Sequence, residues 1–438
     1  MLKIYNSLTN KVELFRPIHS RKINMYVCGP TVYDHIHIGN ARPVIFFDTV
    51  KKYLESIGFD VKYVTNITDV DDKIIEKAIK KQVTEKIISE KYTAAFLEMV
   101  KVLNADSINL TPKATDYITQ MIHYIQDLVD QGYAYVIDSG VYFRVHKIPT
   151  YGQLSKQNIE TLRQNTRKEL DDQKENPEDF ALWKTTTEGI TYDSPWQKGR
   201  PGWHTECAVM NHEIFNEEID IHGGGFDLKF PHHENEIAQT CAHQNHELAK
   251  YWMHVGRLDL EHTKMSKSLG NALYVKDLIK EVNPNAFRLL IISHHYRQPI
   301  NYSEELMEQY VKIYERINRT MKKTAFNLQL NGIIENGIHS EYYQEFTNLM
   351  ENDFSTPNVL TLIETILKKM NSESNLEQTA RFKNTIEDIL TILGIKIDNQ
   401  EFSKETIQTY LEWQEAREAR DFKKADELRK ILVEQGLI

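Results

Sequence analysis

The apolar positions change period several times along the chain. Met25, Tyr26 and Val27 form a short apolar run stopped by Gly29 and Pro30, the mark of a buried strand. From Arg42 to Ser56, Val44, Phe47, Val50 and Leu54 recur at roughly helical spacing, with Gly58 as the stop. Phe59 to Val64 then alternates as a strand does. Strand, turn, helix and strand predict a βαβ unit, and with it a Rossmann-like parallel sheet of the α/β class. Residues 116–189 interrupt that pattern with a helical run, a strand-like stretch from Tyr133 to Ile137 and a polar stretch from Gln157 to Pro177. Beyond residue 300 the period is helical, with segments near 306–326, 342–350, 357–371, 377–393 and 404–435.

Composition narrows the class. With 438 residues, 41% of them hydrophobic, the chain can bury a sizeable core in about three units. No apolar region follows Met1 to Tyr5 and no run approaches membrane-spanning length, so no membrane association is expected. The three cysteines fit a reducing compartment, and the expected localisation is cytoplasmic. The net charge of −10 does not exclude a nucleic-acid partner, because local basic faces steer association while acidic surface elsewhere repels.

Three groups of residues carry candidate chemistry. His37, Ile38, Gly39 and Asn40 fall in the turn between the first predicted strand and helix, where free amide hydrogens and the positive end of the helix dipole suit an anion. Gly39 lets backbone approach a nucleotide, and His37 can donate to phosphate. Lys264, Ser266, Lys267 and Ser268 bring two ammonium groups and two hydroxyls together, which suits a departing pyrophosphate; an isolated cluster of this kind is also an ordinary surface turn. Cys28, Cys207, His232 and Glu236 are donors that Zn²⁺ accepts, and His232 and Glu236 are spaced to share one helical face. On spacing alone they fit either a metal set or two buried structural cysteines.

With the two phosphate motifs in this order, the chain resembles class I aminoacyl-tRNA synthetases, and within them the cysteinyl-tRNA synthetases. The resemblance runs through Met25 to Tyr33 (MYVCGPTVY), Asn66 to Lys73 (NITDVDDK), Lys174 to Lys184 (KENPEDFALWK), Arg200 to Cys207 (RPGWHTEC) and His222 to Glu236 (HGGGFDLKFPHHENE). It continues at Ala286 to Arg288, Asn301 to Glu304 and Met350 to Pro357. It implies a split Rossmann-like catalytic domain (1–115 and 190–257), a connective insertion (116–189), a stem-contact region with the KMSKS loop (258–315) and a helical anticodon-binding domain (316–438).

The resemblance also implies the reaction: ATP, with Mg²⁺, activates L-cysteine to cysteinyl-adenylate, and the acyl group passes to the terminal adenosine of cysteine tRNA. One Zn²⁺ per chain, on Cys28, Cys207, His232 and Glu236, would select the substrate thiolate over the serine hydroxyl. Such discrimination removes the need for editing. His37, Lys264 and Lys267 would be catalytic, and ATP would meet His37, Gly39, Asn40, Lys264, Ser266, Lys267 and Ser268. Thr31, Thr68, Trp203 and Asp227 would form the amino-acid pocket, Gly223 to Gly225 would admit the adenosine, and Cys241 would be core. A monomer is expected. Asn40 stands where the family motif ends in histidine, so cationic help must come from His37 and the lysines.

Trp413, Arg417, Arg420, Lys423, Lys424, Arg429 and Lys430 could stack on or pair with an anticodon, or could simply lace an exposed helix with charge. The chain ends at Ile438, where the resembled family adds a short tail. Two other readings remain open from sequence: an ATP-dependent ligase that passes cysteine to a small amine, and a non-catalytic tRNA-binding paralogue.

Overall fold

In the computed structural model, residues 1–157, 173–260, 272–398 and 401–438 are described. They divide into two compact units, Met1–Lys280 with Tyr296–Asn301, and Glu281–His295 with Tyr302–Ile438.

The first unit is built on the predicted βαβ pattern. A hairpin of β1 (Lys3–Asn6) and β2 (Lys11–Leu14) leads to β3 (Lys22–Val27), α1 (Ile38–Ser56) and β4 (Asp60–Thr65). Strands β3 and β4 pair in parallel, Met25 opposite Tyr63 and Val27 opposite Thr65. Helix α1 starts one turn earlier than its apolar period suggests, because His37 and Asn40 cap each other across its first turn. It ends at Gly58, whose φ of 92° a side chain would resist. Ile45, Phe47, Val50 and Leu54 are fully buried on its inner face, each worth about 1.5–3 kcal/mol relative to exposure. Helices α2 (Asp72–Lys81) and α3 (Glu85–Val102) follow.

Next come α4 (Ile118–Asp130) and an antiparallel sheet in the order β5 (Ala134–Ile137), β6 (Gly140–Phe143), β7 (Phe180–Thr185) and β8 (Gly199–Pro201). Met121, Ile125 and Leu128 of α4 share a core with Val141, Phe143, Leu182 and Trp183 of this sheet. The chain then rejoins the parallel sheet through α5 (Trp203–Phe215), β9 (Ile219–Gly225), α6 (Glu234–Gln244) and β10 (Ala249–Val255). The strand order is β10-β9-β3-β4, all parallel. From β3 the chain winds one way to β4, and from β9 the other way to β10, so a topological switch lies between β3 and β9, where an open α/β sheet offers its crevice. Tyr26, Val64 and Trp252 of that sheet form a core with Cys207 and Met210 of α5 and Ile237 of α6, with Cys241 at its edge.

The second unit contains α7 (Pro284–Ile292), α8 (Glu304–Leu330), α9 (Ser340–Met350), α10 (Thr356–Ser372), α11 (Leu376–Ile392), α12 (Lys404–Glu418) and α13 (Phe422–Glu434). The single helical segment expected over 404–435 is two helices. Arg420 turns left-handed between them (φ 57°), and the Asp421 side chain caps α13 by accepting from the Lys424 N–H. Trp413, expected as a possible base-stacking group, packs beside Tyr410 against the Phe326, Phe402 and Leu432 core, with Arg417 over its ring at 4.7 Å.

Candidate active site and metal centre

A cavity of about 440 Å³ opens at the carboxyl ends of the parallel strands, lined by Cys28 after β3, Thr65 of β4, Gly225 of β9 and Val255 of β10. Of the residues expected in the site, Cys28, Thr31, His37, Gly39, Asn40, Trp203 and Asp227 line it. Thr68 is buried behind it and pairs with Thr31 as a backbone bridge. Lys264, Ser266, Lys267 and Ser268 lie outside the described residues.

At one end of the cavity α1 presents its N-terminus. His37 Nδ1 accepts from the Asn40 N–H at 3.3 Å, and Asn40 Oδ1 accepts from the His37 N–H at the same distance. Since Nδ1 is an acceptor, the neutral ring carries its proton on Nε2. No acidic residue stands in the first turn of α1 to oppose an incoming anion. A Cβ at Gly39 would press on the His37 ring, so glycine keeps this turn open. Asn40 therefore has a local task, capping, that needs no charge.

At the other end, four donors converge from three stretches of chain. Cys28, Cys207, His232 and Glu236 each offer a ligand atom, all within 4.8 Å of one another. The two sulfurs are 3.7 Å apart, Cys28 Sγ is 3.4 Å from Glu236 Oε1, and His232 Nε2 is 3.0 Å from that oxygen. Cys207 comes from the first turns of α5 and Glu236 from the first turn of α6. His232 precedes α6 in a kinked turn where Phe230 leaves helical geometry. Burial raises the Cys28 thiol well above its usual value, and Cys207 and Glu236 raise it further. Burial raises Cys207 as well, and drives His232 well down into its neutral form. Two thiols, a carboxylate and a neutral imidazole facing one another are a poor set by themselves and a good one around a thiophilic dication, which would hold the sulfurs as thiolates. The donor set thus fits Zn²⁺.

Several supporting residues escaped the sequence reading. His222 Nε2 meets the second Glu236 oxygen at 2.7 Å, while His222 Nδ1 meets the Tyr26 carbonyl at 3.1 Å. His204 Nδ1 lies 2.9 Å from His232 Nδ1, and burial takes His204 down to about 4. These contacts orient ligands in the way outer partners do at metal sites. Glu234 accepts the N–H groups of Gly152, Leu154 and Ser155 at 2.9, 3.4 and 2.7 Å, which ties the start of α6 to a distant loop. The signal for all three was their position inside the His222 to Glu236 and Arg200 to Cys207 strings, whose letters do not tell donors from supports. Trp203 stacks on His232 at 4.2 Å and is 38% exposed, so its ring covers one candidate ligand and faces the cavity. The Gly223 and Gly224 positions serve packing, since a Cβ there would meet Phe47 and the Leu228 and His233 side chains; of the three glycines, Gly225 lines the cavity. Burial takes the Cys241 thiol up to about 11, in keeping with a core residue.

This sheet, with its cavity at the switch point and a helix N-terminus at one end, has the fold of a class I aminoacyl-tRNA synthetase. A methionyl-tRNA synthetase of Mycobacterium tuberculosis in complex with methionyl-adenylate superimposes with a TM-score of 0.62 at 13% identity, over 85% of this chain and 90% of that one. A LeuRS–tRNA–LeuAMS ternary complex from Agrobacterium radiobacter K84 gives 0.67 at 10% identity, over 87% and 84%. Residues 14–312 match the model of the tRNA synthetases class I (C) catalytic domain. Cysteine–tRNA ligases of Acholeplasma laidlawii and of Onion yellows phytoplasma are each 54% identical over 438 residues, covering 100% of both chains. That of Staphylococcus aureus is 43% identical over 100% of this chain and 97% of its own. The chain belongs to the cysteine–tRNA ligase family, and neither the small-amine ligase nor the non-catalytic paralogue is favoured. No helix among the described residues is long and apolar enough to cross a membrane.

Proposed function

We propose that this chain activates L-cysteine with ATP and Mg²⁺ and transfers it to the terminal adenosine of cysteine tRNA, as a cytoplasmic monomer using one Zn²⁺. The observation that carries the reading is the convergence of Cys28, Cys207, His232 and Glu236 beside the cavity at the strand ends. When bound there, Zn²⁺ would supply a soft Lewis acid that takes a thiolate far more readily than an alcohol. The chain's own residues do the rest. The α1 N-terminus and His37 Nε2–H receive the phosphates of ATP, and Lys264 and Lys267 stabilise charge as pyrophosphate leaves, with Ser266 and Ser268 beside them. Gly39 and Asn40 shape that turn. Thr31, Thr68 and Asp227 hold the amino-acid head group, and Trp203 packs over the side chain. The division into catalytic domain (1–115 and 190–257), insertion (116–189), stem-contact region (258–315) and anticodon-binding domain (316–438) belongs to the same reading.

Charging of total tRNA with labelled cysteine, beside labelled serine and with ATP and Zn²⁺ supplied, tests it. Cysteine-specific charging is the expected result. Cysteine-dependent exchange of pyrophosphate into ATP without charging would keep the activation chemistry and move the acceptor elsewhere. Equal use of serine would overturn the metal's selective role.

A further inference from the structure

Two of the four donors, Cys28 and Cys207, are direct neighbours of residues joined by one line of hydrogen bonds. Gly29, which follows Cys28, donates its N–H to Asn66 Oδ1 at 2.8 Å. Asn66 Nδ2 donates to Thr68 Oγ1 at 3.2 Å. The Thr68 hydroxyl donates to Glu206 Oε2 at 2.9 Å, and Glu206 precedes Cys207. Every link runs in the same sense, from the strand end that bears one sulfur to the helix turn that bears the other. The amide of Asn66 satisfies both neighbours in only one of its two orientations.

The line is buried and braced. Asn66, Thr68 and Glu206 are each 1% exposed. At that depth a lost partner strands a polar group rather than returning it to water. Thr68 N–H donates to the Pro30 carbonyl at 3.2 Å and the Val32 N–H to the Thr68 carbonyl at 3.1 Å, so the backbone that follows Cys28 is fastened to the same stretch at several points. A Cβ at Gly29 would collide with the Asn66 carbonyl, which explains glycine next to a metal donor.

We propose that Asn66 and Glu206 are positioning residues for the metal centre: through Thr68 they hold the Cys28 and Cys207 backbones so that both sulfurs can serve one ion, and they couple that spacing to the orientation of a residue in the amino-acid pocket. The inference rests on the zinc reading above and adds to it two residues that touch neither metal nor substrate. A line that merely packed the core would be indifferent to bond polarity. This one depends on it: glutamine at 206 keeps an acceptor for the Thr68 hydroxyl, leucine does not, and aspartate at 66 keeps the acceptor for Gly29 but loses the donor to Thr68.

The test uses the full chain loaded with Co²⁺ in place of Zn²⁺, whose thiolate-to-metal charge-transfer absorption reports how many sulfurs bind, together with pyrophosphate exchange. Asn66→Ala and Glu206→Leu are expected to weaken metal binding by about 10- to 100-fold, to reduce or shift the charge-transfer band, and to raise the KM for cysteine while leaving that for ATP unchanged. Glu206→Gln should restore the band and the KM. Where Asn66→Ala does not fold, Asn66→Asp serves, and its band should shift in the same direction. Variants that lose thermal stability but keep the wild-type band and cysteine KM overturn the inference alone. Wild-type chain that takes up no Co²⁺ overturns the metal reading and this inference with it.

Discussion

At the end of the cavity proposed to hold the metal, the candidate donors come from the end of β3, from α5, from a kinked turn and from α6, and three of the four are buried. At the end proposed to receive phosphate, the described candidates are four consecutive residues, His37 to Asn40, with Asn40 exposed and His37 half-buried. Glu236 is oriented by His222 and His232 by His204, each through contacts between separate elements. The α1 N-terminus orients itself, since His37 and Asn40 cap one another. Selecting one chemical element demands donors of set type and spacing, which only a folded scaffold supplies. Binding a phosphate demands backbone N–H groups and a dipole, which any well-capped helix start provides. Loss at the metal end should therefore be close to all-or-none, and loss at the phosphate end graded.

Cys207→Ser tests the first half of that contrast. A hydroxyl in place of that buried sulfur donor should abolish cysteine activation, well beyond the about 10- to 100-fold cost of disturbing an outer partner. Metal content by mass spectrometry and pyrophosphate exchange should fall together. Metal-free protein that still preferred cysteine to serine would end the zinc assignment. His37→Ala should come next, with adenylate formation slowed about 10²- to 10³-fold, as for other donors aimed at developing charge, and with metal content unchanged. A drop in both would mean that the two ends are not independent.

Asn40→Ala should show the graded behaviour most clearly. It removes the acceptor for the His37 N–H at the start of α1 and should cost about 1 kcal/mol of stability, typical of a lost cap. Denaturant midpoints measure that loss, and adenylate formation should fall much less than in His37→Ala. An equal fall would mean that Asn40 meets the nucleotide directly, beyond its capping role.

The same contrast explains how much could be read from the letters. The βαβ unit was visible because its signals are local: the apolar run at Met25 to Val27, the helical spacing of Phe47, Val50 and Leu54, and a glycine at the stop. The turn from His37 to Asn40 at the start of α1 was visible for the same reason. The candidate metal donors span 208 positions between Cys28 and Glu236, as the hydrogen bond between them records, and no spacing rule reaches that far. Resemblance supplied them. It singled out Glu236 but gave no task to Glu234, two residues before it, which fastens a loop through three backbone N–H groups. The break of the last helix at Arg420 was missed because arginine in a left-handed conformation leaves no mark in an apolar period.

At the weak end of the scale stands Asp72, which begins α2 and pairs with Lys184 at 2.9 Å and with Arg200. Its side chain is 46% exposed. Burial would push its carboxyl up, but the hydrogen bonds and charges of Lys184 and Arg200 outweigh burial and hold it below the usual range. A carboxyl with a folded pKa below its unfolded one adds stability above the unfolded value, near 4, and loses that addition as pH falls through the folded value. Solvent screening limits the contribution to below about 1 kcal/mol. Asp72→Asn should therefore lower the urea midpoint slightly at pH 7, and the gap to wild type should close as the medium is acidified below about pH 4. High salt should narrow it at neutral pH. A gap that ignored both pH and salt would mean that Asp72 acts through packing, and that even the exposed margin of this unit is held by shape rather than charge.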